Sequence, residues 1–437
     1  GELWYMSEEV LVNISPRETR VAILENKILR EVYIERQKKL ALIANIYKGR
    51  VTKKMPNMQA VFVDIGLDRT GFLHESDMTQ EVSEGQEILV QVTREPLGSK
   101  GARLSMHLSI STRYLVLMSQ SNTINISSKI ADPLERERLK NLLNVDPDNG
   151  YIIRTAADGV ASLAKDQDYL QTQAAKIINK FATAKVGELI YRDVSLVFRI
   201  LRDLINSRTK SVTIDSSAQL QAVQNFAQEF APDFSGKIVL HTKETPIFDL
   251  YAVNAQLDAA LQPKITLPSG GYLIIEQTES MVAIDVNTGS FSKQRSFEST
   301  IYATNLEAAE AIAIQLRLRN LGGIIVIDFI DMDSREHRQK LLEVLEAAIR
   351  NDSAKTTISP MSSLGLVQMT RKRTRESLRD CICEQCPTCQ GNGYVISMES
   401  RCCDIFRDVI KASNMASGSM SILVIAAAVV VDTILAD

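Results

Sequence analysis

The sequence predicts a multidomain α/β protein that carries a small five-stranded barrel. Three observations point there. Two apolar runs, residues 282–287 and 324–331, are rich in β-branched side chains and end in carboxylates. Short strand-like segments separated by turns fill residues 45–108, and stretches with apolar residues at helical spacing lie elsewhere along the chain. At 437 residues the chain holds about two to four domains.

Charged residues make up 24% and hydrophobic ones 45%, with both signs interspersed, as in a globular rather than a disordered protein. A net charge of -3 argues against a wholly basic nucleic-acid protein, although local basic grooves still steer a polyanion. The first six residues lack the basic start and apolar core of a signal peptide, and Met6 is a candidate natural start.

The first 35 residues alternate apolar and polar positions, as hairpin strands do. The barrel follows, with strands expected over 46–55, 59–65, 70–73, 87–93 and 103–107, a pattern that suits an OB-type fold. Tyr47, Phe62 and Phe72 are interleaved there with Lys48, Arg50, Lys53 and Lys54, a mixture that stacks bases while holding phosphates; any one of these aromatics is equally placed to be core. Gly98, Ser99, Lys100 and Gly101 add a basic turn that also reads as a plain hairpin loop.

Helical spacing marks residues 133–143, and a strand at 151–153 then runs into Arg154 and Thr155. Such a pair at a strand end holds a terminal phosphate, the guanidinium by a bidentate fork and the hydroxyl by one more bond. The two acid-tipped runs follow, punctuated by Gly270, Gly271, Gly322 and Gly323; they read as buried strands delivering acids to one sheet edge. Burying an unpaired carboxylate is costly, so a divalent metal held for phosphodiester chemistry is the economical partner. Downstream, Arg317 and Arg319 on a helix, then Arg371, Lys372, Arg373, Arg375 and Arg379, read as a solvated face or as the wall of a phosphate channel.

All six cysteines lie between positions 381 and 403, which is no disulfide framework. Cys383, Cys386 and Cys389, followed by Gly391 and Gly393, form tight thiol turns suited to zinc, with ordinary buried cysteines as the alternative. The knuckle offers two or three thiols where a structural zinc wants four, so a second copy of the chain completing the shell is a natural hypothesis. Cys402 and Cys403 fall in a helical segment as core candidates. Residues 422–431 are apolar but too short to cross a bilayer, and read as a buried strand running into a helix.

The stretches GGYLII from Gly270, AIDVNTG from Ala283, TNLEAA from Thr304, QLRLRNLGG from Gln315 and IDFIDM from Ile327 together resemble the catalytic region of the bacterial ribonuclease E/G family. The resemblance covers nearly the whole chain. It implies an RNase H-like part over 1–36 and 200–265, split by an S1-type OB barrel (37–110) and a 5′-sensor (111–199). A DNase I-like catalytic part (266–380), a zinc-link (381–398) and a truncated or divergent small domain (399–437) follow.

By the same resemblance, Asp285 and Asp328 bind catalytic magnesium (Mg2+) and Asn287 orients the first of them. Arg154 and Thr155, with the backbone near Val116, sense a 5′-monophosphate. Phe62, Phe72, Lys100, Lys355 and Arg373 contact RNA, while Cys386 and Cys389 each give a thiol to structural zinc (Zn2+) shared between protomers of a homodimer or higher oligomer. Thr112 stands where the family often has glycine, and Ser127, Ser128 and Lys129 are less basic than usual. The implied activity is magnesium-dependent, 5′-monophosphate-stimulated endonucleolytic cleavage of single-stranded RNA in the cytoplasm, leaving 5′-phosphate and 3′-hydroxyl ends, in rRNA processing and mRNA decay. A non-catalytic RNA-binding protein that kept the fold is the alternative.

Overall fold

A computed structural model describes residues 7–37, 41–96, 100–144, 149–289, 297–350, 352–373, 375–415, 418 and 421–436. Met6, Gly98 and Ser99, each singled out in the sequence, lie outside the described residues. Contacts divide the chain into two units, Gly1–Leu378 and Arg379–Asp437.

The first unit begins with a five-stranded sheet in the order Ile238–Leu240, Thr209–Ile214, Glu8–Ile14, Glu18–Glu25, Ile28–Arg36. Alternation along Glu8–Ile14 sends Val10 and Val12 to one face and Leu11 to the other, and both faces are covered. Helices Leu196–Asp203 and Ser217–Phe230 pack on the first face through Ile200, Val223 and Ala227; Phe248, Val253, Leu257 and Leu318 pack on the second. This sheet joins distant parts of the chain. Glu8–Ile14 pairs antiparallel with its hairpin partner Glu18–Glu25 but parallel with Thr209–Ile214.

Inserted between those pairing strands is the barrel. Strands Ile46–Met55, Ala60–Asp64, Gly71–His74, Arg103–Ser105 and Glu87–Arg94 follow one another around it, and pairing of the first with the last closes it. The five segments expected from alternation are all present. Val51, Val61, Val63, Leu73, Val90 and Leu104 fill its interior. A third sheet, ordered Ile124–Ile126, Asn149–Ile153, Leu115–Ser119, Ser109–Ser111, packs against helices Pro133–Asn141 and Ala164–Thr183 through Leu139, Leu170 and Ile177. The first of these helices starts where its sequence dictates, with the Asp132 side chain accepting from the Leu134 amide and Pro133 in the first turn.

A six-stranded mixed sheet completes the unit in the order Lys264–Thr266, Tyr272–Gln277, Met281–Asn287, Gly323–Asp328, Leu366–Arg371, Thr356–Ile358. Helices Phe297–Leu318 and Arg335–Ile349 cover one face, burying Val282, Ile284, Val286, Ile325 and Ile327.

The second unit holds the cysteine turns and helices Met398–Met415 and Ala428–Ala436. Cys402 is buried as expected, whereas Cys403 is exposed. Of the buried strand running into a helix expected over 422–431, the helix forms at Ala428–Ala436 but the strand does not: residues 421–427 have no regular structure, and Leu423 and Ile425 are 83% and 88% exposed. An apolar run supplies the drive for burial but no ladder partner, and among the described residues none pairs with it. No described helix is long and apolar enough to cross a membrane.

Candidate catalytic face and RNA interface

Met281–Asn287 and Gly323–Asp328 are parallel neighbours, and their register sets Asp285 directly beside Asp328 at the carboxyl ends of both strands. Val282, Ile284 and Val286 point into the core, so Asp285 and Asn287, two apart, share the opposite face. That face is open. Asp285 and Asp328 are both exposed, which corrects the expectation of buried acids: apolar alternation with one face covered turns every second residue of each strand to solvent.

Asn287 Nδ2 donates to Asp285 Oδ2 at 2.8 Å and fixes that carboxylate. Asn305, which sequence reasoning passed over as part of a motif, is fully buried and clamps the segment after Asp328, donating to the Ile330 carbonyl at 2.8 Å and accepting from its amide at 3.1 Å. Gly289, at φ +65°, closes the other side; a Cβ there would come within 2.1 Å of the Gly270 carbonyl. Asp331 Oδ1 lies 3.3 Å from where a Cβ on Gly365 would sit.

No group of three or more His, Cys, Asp or Glu suited to a metal occurs among the described residues. Asp285 and Asp328 nonetheless make a two-carboxylate donor set. Like charges directly abreast in a sheet are unfavourable, and neither has an ion-pair partner among the described residues. A magnesium ion, which takes one or two carboxylates and fills its remaining positions with water or phosphate oxygen, fits this arrangement.

On the barrel, Lys53, Phe62, Phe72 and Arg103 stand in successive register across four strands. Phe62 and Phe72 are half-buried, with ring centroids 6.1 Å apart in an edge-to-face pair. Lys100 is exposed beside the same strand group. The other expected members are occupied elsewhere: Tyr47 is core, Lys48 is buried and bonded to the Phe181 carbonyl and Glu87, Arg50 pairs with Glu87, and Lys54 pairs with Glu81. Arg103, salt-bridged to Asp77 at 2.9 Å, is the cation of this face that strand boundaries alone did not reveal.

At the strand end after Ile153, Arg154 Nη1 donates to the Thr112 carbonyl at 2.8 Å and to Asp203 Oδ1 at 2.7 Å. Thr155 and Ser127 share a hydroxyl hydrogen bond at 2.7 Å, and Val116 pairs with Ile152 on the adjoining strand. Thr112 is buried, with its hydroxyl turned inward to the Leu115 carbonyl while its own carbonyl holds Arg154. Asp203 was not foreseen; 49 positions separate it from Arg154.

Most of the downstream arginines are structural. Arg317 bonds Glu25 and Glu31 of the first sheet. Arg319 reaches the Gln262 carbonyl, and burial pushes its pKa down to about 10. Arg371 pairs with Asp352 with both side chains 4% exposed, and the Arg375 guanidinium lies 3.9 Å over the Tyr33 ring. Lys355, Lys372 and Arg373 remain exposed, Arg373 anchored by Nε to the Gly322 carbonyl at 3.0 Å. Of the channel candidates, Lys372 and Arg373 therefore stay exposed in the first unit, and Arg379, exposed in the second unit, lies 3.8 Å from Asp380.

In the second unit, the turns around Cys386 and Cys389 are closed by the Gln390 and Asn392 amides, bonded to the Cys386 and Cys389 carbonyls at 2.8 and 2.9 Å. Backbone amides of Cys389 and Thr388 hold the Cys386 thiol below its usual pKa, the environment that a zinc-binding thiolate needs. The thiols of Cys386 and Cys389 together would supply half of a tetrahedral shell.

A barrel bearing aromatics and cations, joined to an α/β sheet with paired acids on its open face, defines a nucleic-acid-binding protein of the multidomain α/β class. Residues 43–107 match the S1 RNA binding domain, and residues 109–374 match the ribonuclease E/G family. The chain is 43% identical over 433 residues to Ribonuclease G of Escherichia coli (strain K12), covering 94% of this chain and 88% of that protein. It is 44% identical over 439 residues to Ribonuclease G of Haemophilus influenzae, covering 95% and 89%, and 36% identical over 376 residues to Ribonuclease E of a Nostoc species, covering 82% and 55%. The chain belongs to the ribonuclease E/G family.

Proposed function

We infer that this chain is a magnesium-dependent endoribonuclease that cuts single-stranded RNA, is stimulated by a 5′-monophosphate, and leaves 5′-phosphate and 3′-hydroxyl ends. The observation that carries the reading is the in-register pair Asp285 and Asp328, with Asn287 bonded to the first, in a chain this similar to Ribonuclease G. Asp285 and Asp328 would hold the metal, which supplies Lewis acidity to the scissile phosphate when bound. Asn287 occupies one oxygen of Asp285, and the other has no hydrogen-bond partner among the described residues. Phe62 and Phe72 stack bases, Lys100, Lys355 and Arg373 hold backbone phosphates, and the second guanidinium edge of Arg154 with Thr155 takes the 5′ end.

The five-stranded sheet is then the RNase H-like part, the six-stranded sheet the DNase I-like part, and the segment between barrel and first-sheet return the sensor. Cys386 and Cys389 would bind zinc jointly with a second copy, giving a homodimer or higher oligomer. Six cysteines clustered without a disulfide framework support a cytoplasmic setting, where the substrates would be rRNA precursors and mRNA.

The test is a 5′-monophosphorylated, AU-rich RNA incubated with and without magnesium, with the native chain and Asp285→Asn. Cleavage by the native chain alone, and only with magnesium, is the expected result. An RNA left whole by the native chain returns the protein to a non-catalytic RNA binder, and an RNA cut equally by the variant overturns the reading as stated.

A further inference from the structure

On the open face of the six-stranded sheet, the register builds two rows that run through the acidic pair. One row reads Lys264, Ile274, Asp285, Asp328, Leu366; the next reads Thr266, Tyr272, Asn287. Tyr272 thus stands directly across from the residue that orients Asp285. Alternation puts Leu273 and Ile275 in the core and leaves Tyr272 on the face of the acids, half-buried. The Lys264 ammonium lies 4.0 Å from the Tyr272 ring centroid. Lys264 is the one basic side chain in these two rows, two strands and so about 9–10 Å of backbone from Asp285.

We propose that Tyr272 and Lys264 form a nucleotide subsite beside the acidic pair, where the tyrosine ring stacks on an unpaired base next to the scissile phosphate and the lysine faces the adjoining backbone phosphate. This rests on the endoribonuclease reading above and extends it. A metal-held phosphate between two aspartates fixes only one point of a flexible strand. Productive cleavage needs a second point close by, because a strand free to swing spends little time in the reactive geometry. The barrel aromatics belong to another sheet, whereas Tyr272 belongs to the same sheet as the acids and moves with them. Its ring is sequence-tolerant, since every base has a π-face, and the lysine supplies the one positive charge of the acidic row. A surface cation–π pair at an exposed site is worth only about 0.5–1 kcal/mol to the fold, too little by itself to account for an aromatic beside the acids.

The experiment is a coupling cycle on the full chain. A short fluorescent RNA with one cleavage site is made intact and with a single abasic residue at each position flanking the cut, and binding is followed by anisotropy in EDTA, without cleavage. Tyr272→Ala, Tyr272→Phe and Lys264→Ala are compared with the native chain. At one flanking position, the abasic change should weaken native binding about 5- to 150-fold, the worth of one stacked base. Tyr272→Ala should lose the same factor on intact RNA and be indifferent to the abasic residue, and Tyr272→Phe should behave as native. Lys264→Ala should weaken binding and flatten its salt dependence. Additive effects of Tyr272→Ala and every abasic position overturn the subsite. Cleavage by the native chain, measured separately with magnesium, decides the endoribonuclease reading, so each claim fails by its own result.

Discussion

Arg154 reaches Asp203 Oδ1 at 2.7 Å, and both oxygens of Asp203 are also held by Arg202, which in turn forks onto Asp193. Burial disfavours the Asp203 charge, but the Arg202 hydrogen bonds and the two arginine charges outweigh it and hold the carboxyl below its usual range. The nearer side of Arg154 is therefore committed, and Nε and Nη2 have no partner among the described residues. Asp203→Asn is expected to lower the preference for 5′-monophosphorylated over 5′-hydroxyl RNA by about tenfold, the worth of one charge-assisted hydrogen bond. Because the folded pKa is depressed, the stability from Asp203 is complete above the free value of 3.8 and is lost as pH falls through the lower folded value. The difference in Tm between native chain and variant should hold steady near neutrality and shrink only in strong acid.

Asn287→Ala leaves Asp285 free to rotate. Cleavage assays should show kcat down by about 10- to 100-fold with KM nearly unchanged. A rise in KM with kcat intact would assign Asn287 to RNA binding instead.

Phe62→Ala and Phe72→Ala each remove one ring of the edge-to-face pair on the barrel. Each should weaken single-stranded RNA binding by about 1–3 kcal/mol, read by anisotropy, with no change in the barrel's circular dichroism. Two native-like binding curves would remove this face from the RNA path.

Arg371 and Arg373 lie two residues apart and should behave oppositely. Arg371→Ala strands Asp352 in the interior and should cost about 3–5 kcal/mol in urea unfolding. Arg373→Ala should cost no more than about 1 kcal/mol yet weaken RNA binding and its salt dependence.

Exchange of Cys386 and Cys389 for serine should convert a dimer to a monomer by light scattering, and bound zinc should fall from roughly one ion per two chains to none. Unchanged mass with undiminished zinc rules out the shared site.

The barrel was legible strand by strand because period-2 alternation and turn residues are local signals. The acid pair was legible too, through two β-branched runs, but alternation names which residues share a face and not which face a helix will cover; hence the mistaken burial. The arginines were ambiguous for a different reason. Arg317 finds Glu31 across 286 positions and Arg371 finds Asp352 across 19, so a basic run destined for internal pairing reads the same as one destined for phosphate. Asp203 escaped notice on the same ground. The apolar segment near 422–431 carried a strand's composition without the neighbour that makes a strand.

The first sheet has a consequence for how the polypeptide acquires its structure on the ribosome. Glu8 waits for Thr209, 201 positions later, before its parallel ladder and buried hydrogen bond can close. The amino-terminal hairpin therefore emerges with one long edge unmatched, while the barrel and the segment after it, rich in nearer contacts, are free to form first. Nascent chains arrested before residue 214 should expose that edge to chaperones or protease, and release past it should bring sudden protection.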